Sequence, residues 1–161
     1  SAIVSFVGAG LLGFAHTLPQ TNLYTHGTLV TAMHGHLAFW GAYAMIVLAI
    51  ISYSLPNMTG RKLYDGVRGR AAFWTSNIGM IGMTVAFGVA GVAQVYMERK
   101  LKMDFMVVQN EISIHFVVLL LCASLFTTGI ILYIIDFIKH GRPNDEALEI
   151  NDGLETADSL Q

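Results

Sequence analysis

The distribution of charge is the feature that most constrains what this chain can fold into. No Asp, Glu, Lys or Arg occurs before Arg61, and two more charge-free apolar stretches follow at Ala71–Tyr96 and Ile112–Ile135. Crossing a bilayer takes about 20 consecutive apolar residues, and each stretch is long enough. Charged residues make up only 12% of the chain, against roughly a quarter in soluble domains. The sequence therefore predicts an all-α, polytopic membrane protein in contact with a lipid bilayer.

Four transmembrane helices are predicted, at about residues 1–17, 28–55, 72–97 and 113–138. Pro19 marks the connection after the first helix, and Pro56 is expected to end the second because proline cannot donate the backbone hydrogen bond. Small residues in membrane helices mark close helix contacts. Such contacts are expected at Cys122 and at seven glycines: Gly8, Gly10, Gly13, Gly79, Gly82, Gly88 and Gly91. Because Cys122 is the single cysteine, the chain cannot form an internal disulfide.

Basic residues orient the predicted bundle, because Lys and Arg concentrate on the cytoplasmic side. Six stand on the side of the second loop and the C-terminus, against three on the other: Arg61, Lys62, Arg68, Arg70, Lys139 and Arg142 against Arg99, Lys100 and Lys102. This distribution predicts a cytoplasmic C-terminus and places Leu18–Gly27 outside.

Residues 1–141 are interpreted as one transmembrane segment and residues 142–161 as an acidic, disordered tail with six of the eleven acidic residues. The formal net charge of -2 leaves no basic surface for nucleic acid. The chain starts in apolar sequence at Ser1 without the basic flank of a signal peptide. We expect a processed chain, a fragment or one piece of a larger assembly.

Histidines within the predicted second helix are the candidate functional residues. His34 and His36 lie roughly 9 and 12 Å from its start, inside the hydrocarbon layer, where ionisable side chains are costly. Two residues of helix turn the side chain by about 200° with about 3 Å of rise, so the imidazoles point to nearly opposite sides. The two opposite directions favour a helix that lies between two planar cofactors such as haems. Gly35 would leave room for large rings to approach the backbone. Hydrogen bonding between helices is the simpler alternative.

Three stretches of the chain closely resemble the large catalytic subunit of bacterial nitric oxide reductases, in the haem–copper oxidase superfamily. They are Gly8–Pro19, Tyr24–Thr28 and Thr31–Met45, with a looser match through Gln94–Glu98 to about Phe137. The resemblance implies that the chain corresponds to the C-terminal third of a twelve-helix bundle. It also implies reduction of two NO to N2O and water.

By this resemblance, His34 is the catalytic axial ligand of a high-spin haem b, and His36 is one axial ligand of a low-spin haem b. His26 and Thr17 match positions near the haem propionates, where a calcium ion is also implied. A solvated loop histidine and a helix cap are the alternatives for His26 and Thr17. His16 receives no assignment. The family's non-haem iron has ligands that this sequence does not contain.

The implied partners are the remaining N-terminal helices, in the same subunit or on a separate chain, and an electron donor. The donor is either a cytochrome c subunit or quinol, and the implied location is the bacterial inner membrane. Two other functions stay open: an oxygen-reducing haem–copper oxidase, and a haem-free transporter or proton-channel subunit. Aromatic residues after the histidines, Phe39, Trp40 and Tyr43, are expected to pack between helices, some of them at a haem edge.

Overall fold

The computed structural model describes residues 1–59 and 66–140, apart from the side chains of Thr59 and His140. Every regular element in these residues is helical: α1 (Ala2–Thr17), α2 (Pro19–Thr25), α3 (Leu29–Met58), α4 (Gly66–Lys100), α5 (Phe105–Glu111) and α6 (Ser113–His140). Short π-helical turns interrupt α1 and α3 and end α4. The predicted acidic tail at 142–161 and the basic residues Arg61 and Lys62 lie outside the described residues.

Three of these helices, α3, α4 and α6, are each long and apolar enough to cross a membrane. Helix α1 meets this criterion only together with α2, and the two are bent by 100° where they join. The described residues thus supply three candidate spans, or four if the bent pair counts as one. The expectation of an all-helical, multi-pass membrane protein is confirmed.

Helix ends differ from the predicted ones at three places. Pro56 lies inside α3 instead of ending it, which is tolerable because the helix stops shortly afterwards. Pro19 opens the short helix α2 within the predicted connection, since proline suits the first helical turn. Helix α4 begins at Gly66, before the predicted residue 72, and therefore carries Arg68. The Arg68 guanidinium donates to the buried Asp136 carboxylate of α6 across 3.1 Å.

Helix α4 occupies the centre of the described bundle. It packs along α6 on one side and α3 on the other, and α1 packs on the far side of α3. The most apolar stretch of α4 is 39% buried, compared with 17% in α3 and 11% in α6. The core forms where the three helices meet, around Trp40, Met80, Met83, Ala86 and Leu119.

Glycines set the spacing between these helices. A Cβ atom added at Gly8 would lie 2.7 Å from a backbone nitrogen of α3, and one at Gly79 would lie 2.5 Å from a backbone nitrogen of α6. Gly91 is equally close to the backbone of α3. The predicted helix contacts are confirmed at these three positions. At Gly10 the described residues show no contact with another helix, because a Cβ there would meet only Phe6 of the same helix, at 3.6 Å.

Cys122 is a helix-packing residue, as predicted. Its Sγ atom lies 2.5 Å from where a Cβ at Gly82 would stand, on the contact between α4 and α6. Gly88 similarly accommodates the Sδ atom of Met33, which would lie 2.9 Å from an added Cβ. Small residues of α4 thus receive side chains from both neighbouring helices.

The start of α3 is fixed by a buried glutamine of α4. Gly27 has a φ of 74°, a left-handed conformation that suits glycine, and lets the chain turn into α3. The Leu29 backbone N–H, in the first turn of α3, donates to Gln94 Oε1 across 2.9 Å. The Gln94 side-chain amide in turn donates to Glu98 Oε1 at 2.9 Å. The bond to Leu29 satisfies a helix-end donor that has no partner within its own helix.

Candidate cofactor-binding site

The two central histidines of α3 face different helices, as the helical geometry predicts. The His34 ring points towards α1, where its Nδ1 lies 2.8 Å from the Gly8 carbonyl oxygen. The His36 ring points towards α4, and its centroid lies 4.9 Å from that of the Phe87 ring. One rigid helix therefore presents two imidazoles to two separate spaces.

Hydrogen bonds define the tautomer of both imidazoles. His34 Nδ1 contacts the Gly8 carbonyl, and His36 Nδ1 contacts the Ala32 carbonyl, each at 2.8 Å. A carbonyl oxygen only accepts, so Nδ1 carries the proton and donates in both cases. In the neutral form of each ring, the lone pair then lies on Nε2. Metal-binding histidines use this arrangement, in which the second nitrogen donates to a backbone carbonyl and fixes the ring.

The surface of α1 fits closely around the His34 ring. A Cβ atom at Gly13 would lie 3.3 Å from His34 Cε1, so the glycine leaves only the space that the ring needs. The His16 imidazole stacks on His34, with ring centroids 5.0 Å apart and planes inclined by 20°. Sequence reasoning left His16 without a role and did not identify the Gly8 carbonyl. Neither carries a local signal, because both contacts join α1 to α3.

His36 opens into a large apolar groove of about 990 Å³. This volume is at the upper end of the range for small-molecule sites, which is about 300–1,000 Å³. A Cβ atom at Gly35 would have nothing within 4 Å, so the backbone is open to a ligand there. The groove runs between α3 and α6 over α4, and its lining includes Phe39, Trp40, Tyr43, Met80, Phe126 and Ile130. A large, mostly apolar cofactor with one metal-binding position fits these surroundings.

The aromatic residues after the histidines have two kinds of surroundings. Trp40 is buried, donates from Nε1 to Asn77 Oδ1 at 3.1 Å, and meets the Phe126 ring edge-on. Phe39 and Tyr43 are exposed and pack on each other with centroids 5.4 Å apart. All three predicted aromatics line the groove, and Trp40 also joins α3 to the core.

Thr17 is the last residue of α1, and His26 follows the end of α2. His26 is exposed after α2, and its backbone carbonyl accepts from the Arg99 guanidinium at 3.2 Å. The Thr17 hydroxyl donates to the Phe14 carbonyl at 2.7 Å, in the last turn of α1. These hydrogen bonds are those of helix ends, and a role near a cofactor stays a prediction for both residues.

Within residues 1–59 and 66–140, no three His, Cys, Asp or Glu side chains come together as a metal-binding group. A single imidazole can still supply one ligand to a metal that is held by other groups. An iron already held in a planar ring accepts single axial ligands of this kind.

Known proteins with similar sequences identify the family of this chain. The family model for cytochrome c and quinol oxidase polypeptide I matches residues 1–138. The chain belongs to this family and is a membrane protein of the haem–copper oxidase type. It is 38% identical over 150 residues, 88% of the chain, to a nitric oxide reductase subunit of Stutzerimonas stutzeri. The resemblance identified from the sequence is thereby confirmed.

A second relative extends the match to another branch of the family. The chain is 31% identical over 99 residues, 60% of its length, to the alternative cytochrome c oxidase subunit 1 of Bradyrhizobium diazoefficiens. It spans 32% of the length of the reductase relative and 17% of that of the oxidase relative.

Proposed function

We propose that this chain is part of a membrane nitric oxide reductase and supplies axial histidines to two haems b. The reaction combines two NO molecules with two electrons and two protons to give N2O and water. The observation that carries the proposal is the pair His34 and His36, which face opposite sides of α3 with Nδ1 bonded to carbonyls. The 38% identity to a nitric oxide reductase subunit over most of the chain supports the choice of reaction.

His34 would hold the high-spin haem through Nε2. Its ring already has a fixed tautomer through Gly8 and a close fit at Gly13, so the ligand nitrogen needs no reorganisation on binding. When bound, the haem iron supplies one-electron redox chemistry and an open position for NO. The contribution of the chain is to fix the orientation of the ligand nitrogen.

His36 would hold the low-spin haem in the apolar groove between α3 and α6. A haem with two imidazole ligands needs a second histidine, which we assign to helices beyond this chain. The Phe87 ring lies beside His36, and the backbone at Gly35 is open. Both features suit a large planar ring bound next to His36. Because both histidines belong to one helix, the separation of the two haems would be set by its geometry.

The remaining assignments follow from the same family resemblance. We place His26 and Thr17 near the haem propionates, with calcium there, and the non-haem iron on helices outside this chain. Electrons would come from a cytochrome c partner or from quinol. The protein would reside in the bacterial inner membrane with a cytoplasmic C-terminus, as the distribution of basic residues predicts.

Substitution of each histidine in the full-length, assembled protein tests the proposal. We expect His34→Ala to abolish NO turnover and the high-spin haem signal while retaining the low-spin spectrum. We expect His36→Ala to remove the low-spin signal. The matched control is His115→Ala, since His115 also bonds a carbonyl of its own chain segment, at 3.2 Å, but lies on α6. Turnover retained by His34→Ala, or an unchanged reduced spectrum of His36→Ala, would contradict the assignment.

An oxygen-reducing enzyme is the second candidate, because the chain is also 31% identical to part of an oxidase. Haem, total iron and copper measured on one sample of the assembled protein separate the two. We expect one non-haem iron for two haems b and no copper. Copper together with haem would move the chain to the oxygen-reducing branch, and the absence of haem would favour a transporter or proton channel.

A further inference from the structure

The His16 imidazole lies against the proposed ligand of the high-spin haem, although nothing in the sequence assigns it a role. The His16 and His34 rings stack with centroids 5.0 Å apart and planes inclined by 20°. This geometry is that of an offset aromatic stack, which aromatic pairs prefer at about 4.5–7 Å. One face of the His34 ring is thereby covered by another planar ring.

The His16 ring is itself held in place. Its Nδ1 lies 2.7 Å from the Leu12 carbonyl oxygen and donates to it, because the carbonyl only accepts. The other nitrogen, Nε2, is buried and has no hydrogen-bond partner among the described residues. The orientation of the His16 ring is thus fixed. It offers His34 a flat surface.

Helix α1 contacts the His34 imidazole at three places. The Gly8 carbonyl accepts from Nδ1, Gly13 lies beside Cε1, and the His16 ring covers one face. A single hydrogen bond leaves an imidazole free to tilt and rotate about the bond from Nε2 to a metal. The stacked ring of His16 opposes this rotation, because turning His34 would drive its atoms into His16.

We propose that His16 is a positioning residue that holds the ring plane of His34, and with it the orientation of the axial ligand relative to the high-spin haem. This inference rests on the proposed function. The flat face of the His16 ring holds the His34 ring in place, and the His16 Nε2 atom takes no part in this. A phenylalanine at this position would keep the stack, whereas leucine would remove it. Phenylalanine would lose the hydrogen bond to the Leu12 carbonyl and would also remove a buried nitrogen that has no partner among the described residues.

The test is resonance Raman spectroscopy of the full-length, haem-loaded protein in its reduced state, observing the iron–histidine stretching band of the high-spin haem. The band reports the orientation and strength of the ligand bond, and a merely structural role would leave it in place. We expect the wild type and His16→Phe to share one narrow band. We expect His16→Leu to shift and broaden it.

His115→Leu is the matched control, because it makes the same change at a histidine of α6 that likewise bonds a backbone carbonyl. This variant should keep the wild-type band. His16→Met serves in place of His16→Leu if the latter does not assemble, and the low-spin haem spectrum of each variant shows whether it has assembled. The expected shift for methionine is the same as for leucine.

A His16→Leu band identical to the wild type in position and width would overturn the inference while leaving the haem assignment intact. A His16→Phe band that shifts as far as that of His16→Leu would also overturn it, since the nitrogen would then be required. A wild-type spectrum with haem but no iron–histidine band would refute the ligand role of His34, and both proposals would fail together.

Discussion

A close backbone approach between α4 and α6 offers a sharp test of the described packing through the change Gly79→Ala. The added Cβ atom would lie 2.5 Å from the Phe126 backbone nitrogen and 2.8 Å from the Cys122 carbonyl oxygen. Backbone atoms cannot rotate out of the way. To restore an ordinary contact of 3.4 Å, the two helices must separate by roughly 1 Å along this side.

Such overpacking costs about 1–3 kcal/mol. The change also gains about 1 kcal/mol because alanine favours the helix more than glycine does. We therefore expect a net loss of up to about 2 kcal/mol for Gly79→Ala, or up to about 30-fold in the unfolding equilibrium. The assay is denaturant unfolding of the full-length protein in detergent micelles, followed by circular dichroism.

Gly82→Ala is the matched control on the same helix, α4. Its Cβ atom would meet the Cys122 Sγ atom at 2.5 Å, and this side-chain atom can move by rotation about χ1. We expect the stability of this variant to equal or exceed that of the wild type. If Gly79→Ala unfolds at the same denaturant concentration as Gly82→Ala, the close backbone contact at Gly79 is wrong.

Two polar contacts between helices give further predictions. Gln94→Leu leaves the Leu29 N–H without its acceptor and should cost about 1–3 kcal/mol of stability. The readout is faster hydrogen exchange of the Leu29 amide, and unchanged exchange would contradict this contact. Asp136→Leu removes the carboxylate at 3.1 Å from Arg68 and should cost about 1–3 kcal/mol in denaturant unfolding, since the remaining Arg68 side chain is partly exposed. The double variant with Arg68→Met should recover part of this loss, and a strictly additive double variant would argue against the ion pair.

Properties of the local sequence were sufficient to predict much of the fold. The charge-free stretches predicted membrane helices, because a charged residue is expensive anywhere in the hydrocarbon layer, whichever helix it faces. The opposite directions of His34 and His36 followed from the fixed rotation of about 100° per residue in a helix. Gly8, Gly79 and Gly91 were recognised as contact residues because small side chains are what close helix packing requires.

Other features depended on contacts between distant residues. The early start of α4 at Gly66 places Arg68 where it can bind Asp136, and no local pattern links residues so far apart. The role of Gln94 at the start of α3 has the same origin. Gly10 looked like its neighbours in sequence, yet a Cβ atom there would meet no other described helix.

Hydropathy and helical rotation are properties of the local chain, and they were enough to predict the lipid surroundings, the helical class and the two divergent imidazoles. What surrounds those imidazoles could be known only from the folded structure. The Gly8 carbonyl that orients His34, the His16 ring that covers it and the groove that receives His36 are contributed by separate helices. Their positions result from helix packing, which the backbone contacts of Gly8, Gly79 and Gly91 set and which no single segment encodes.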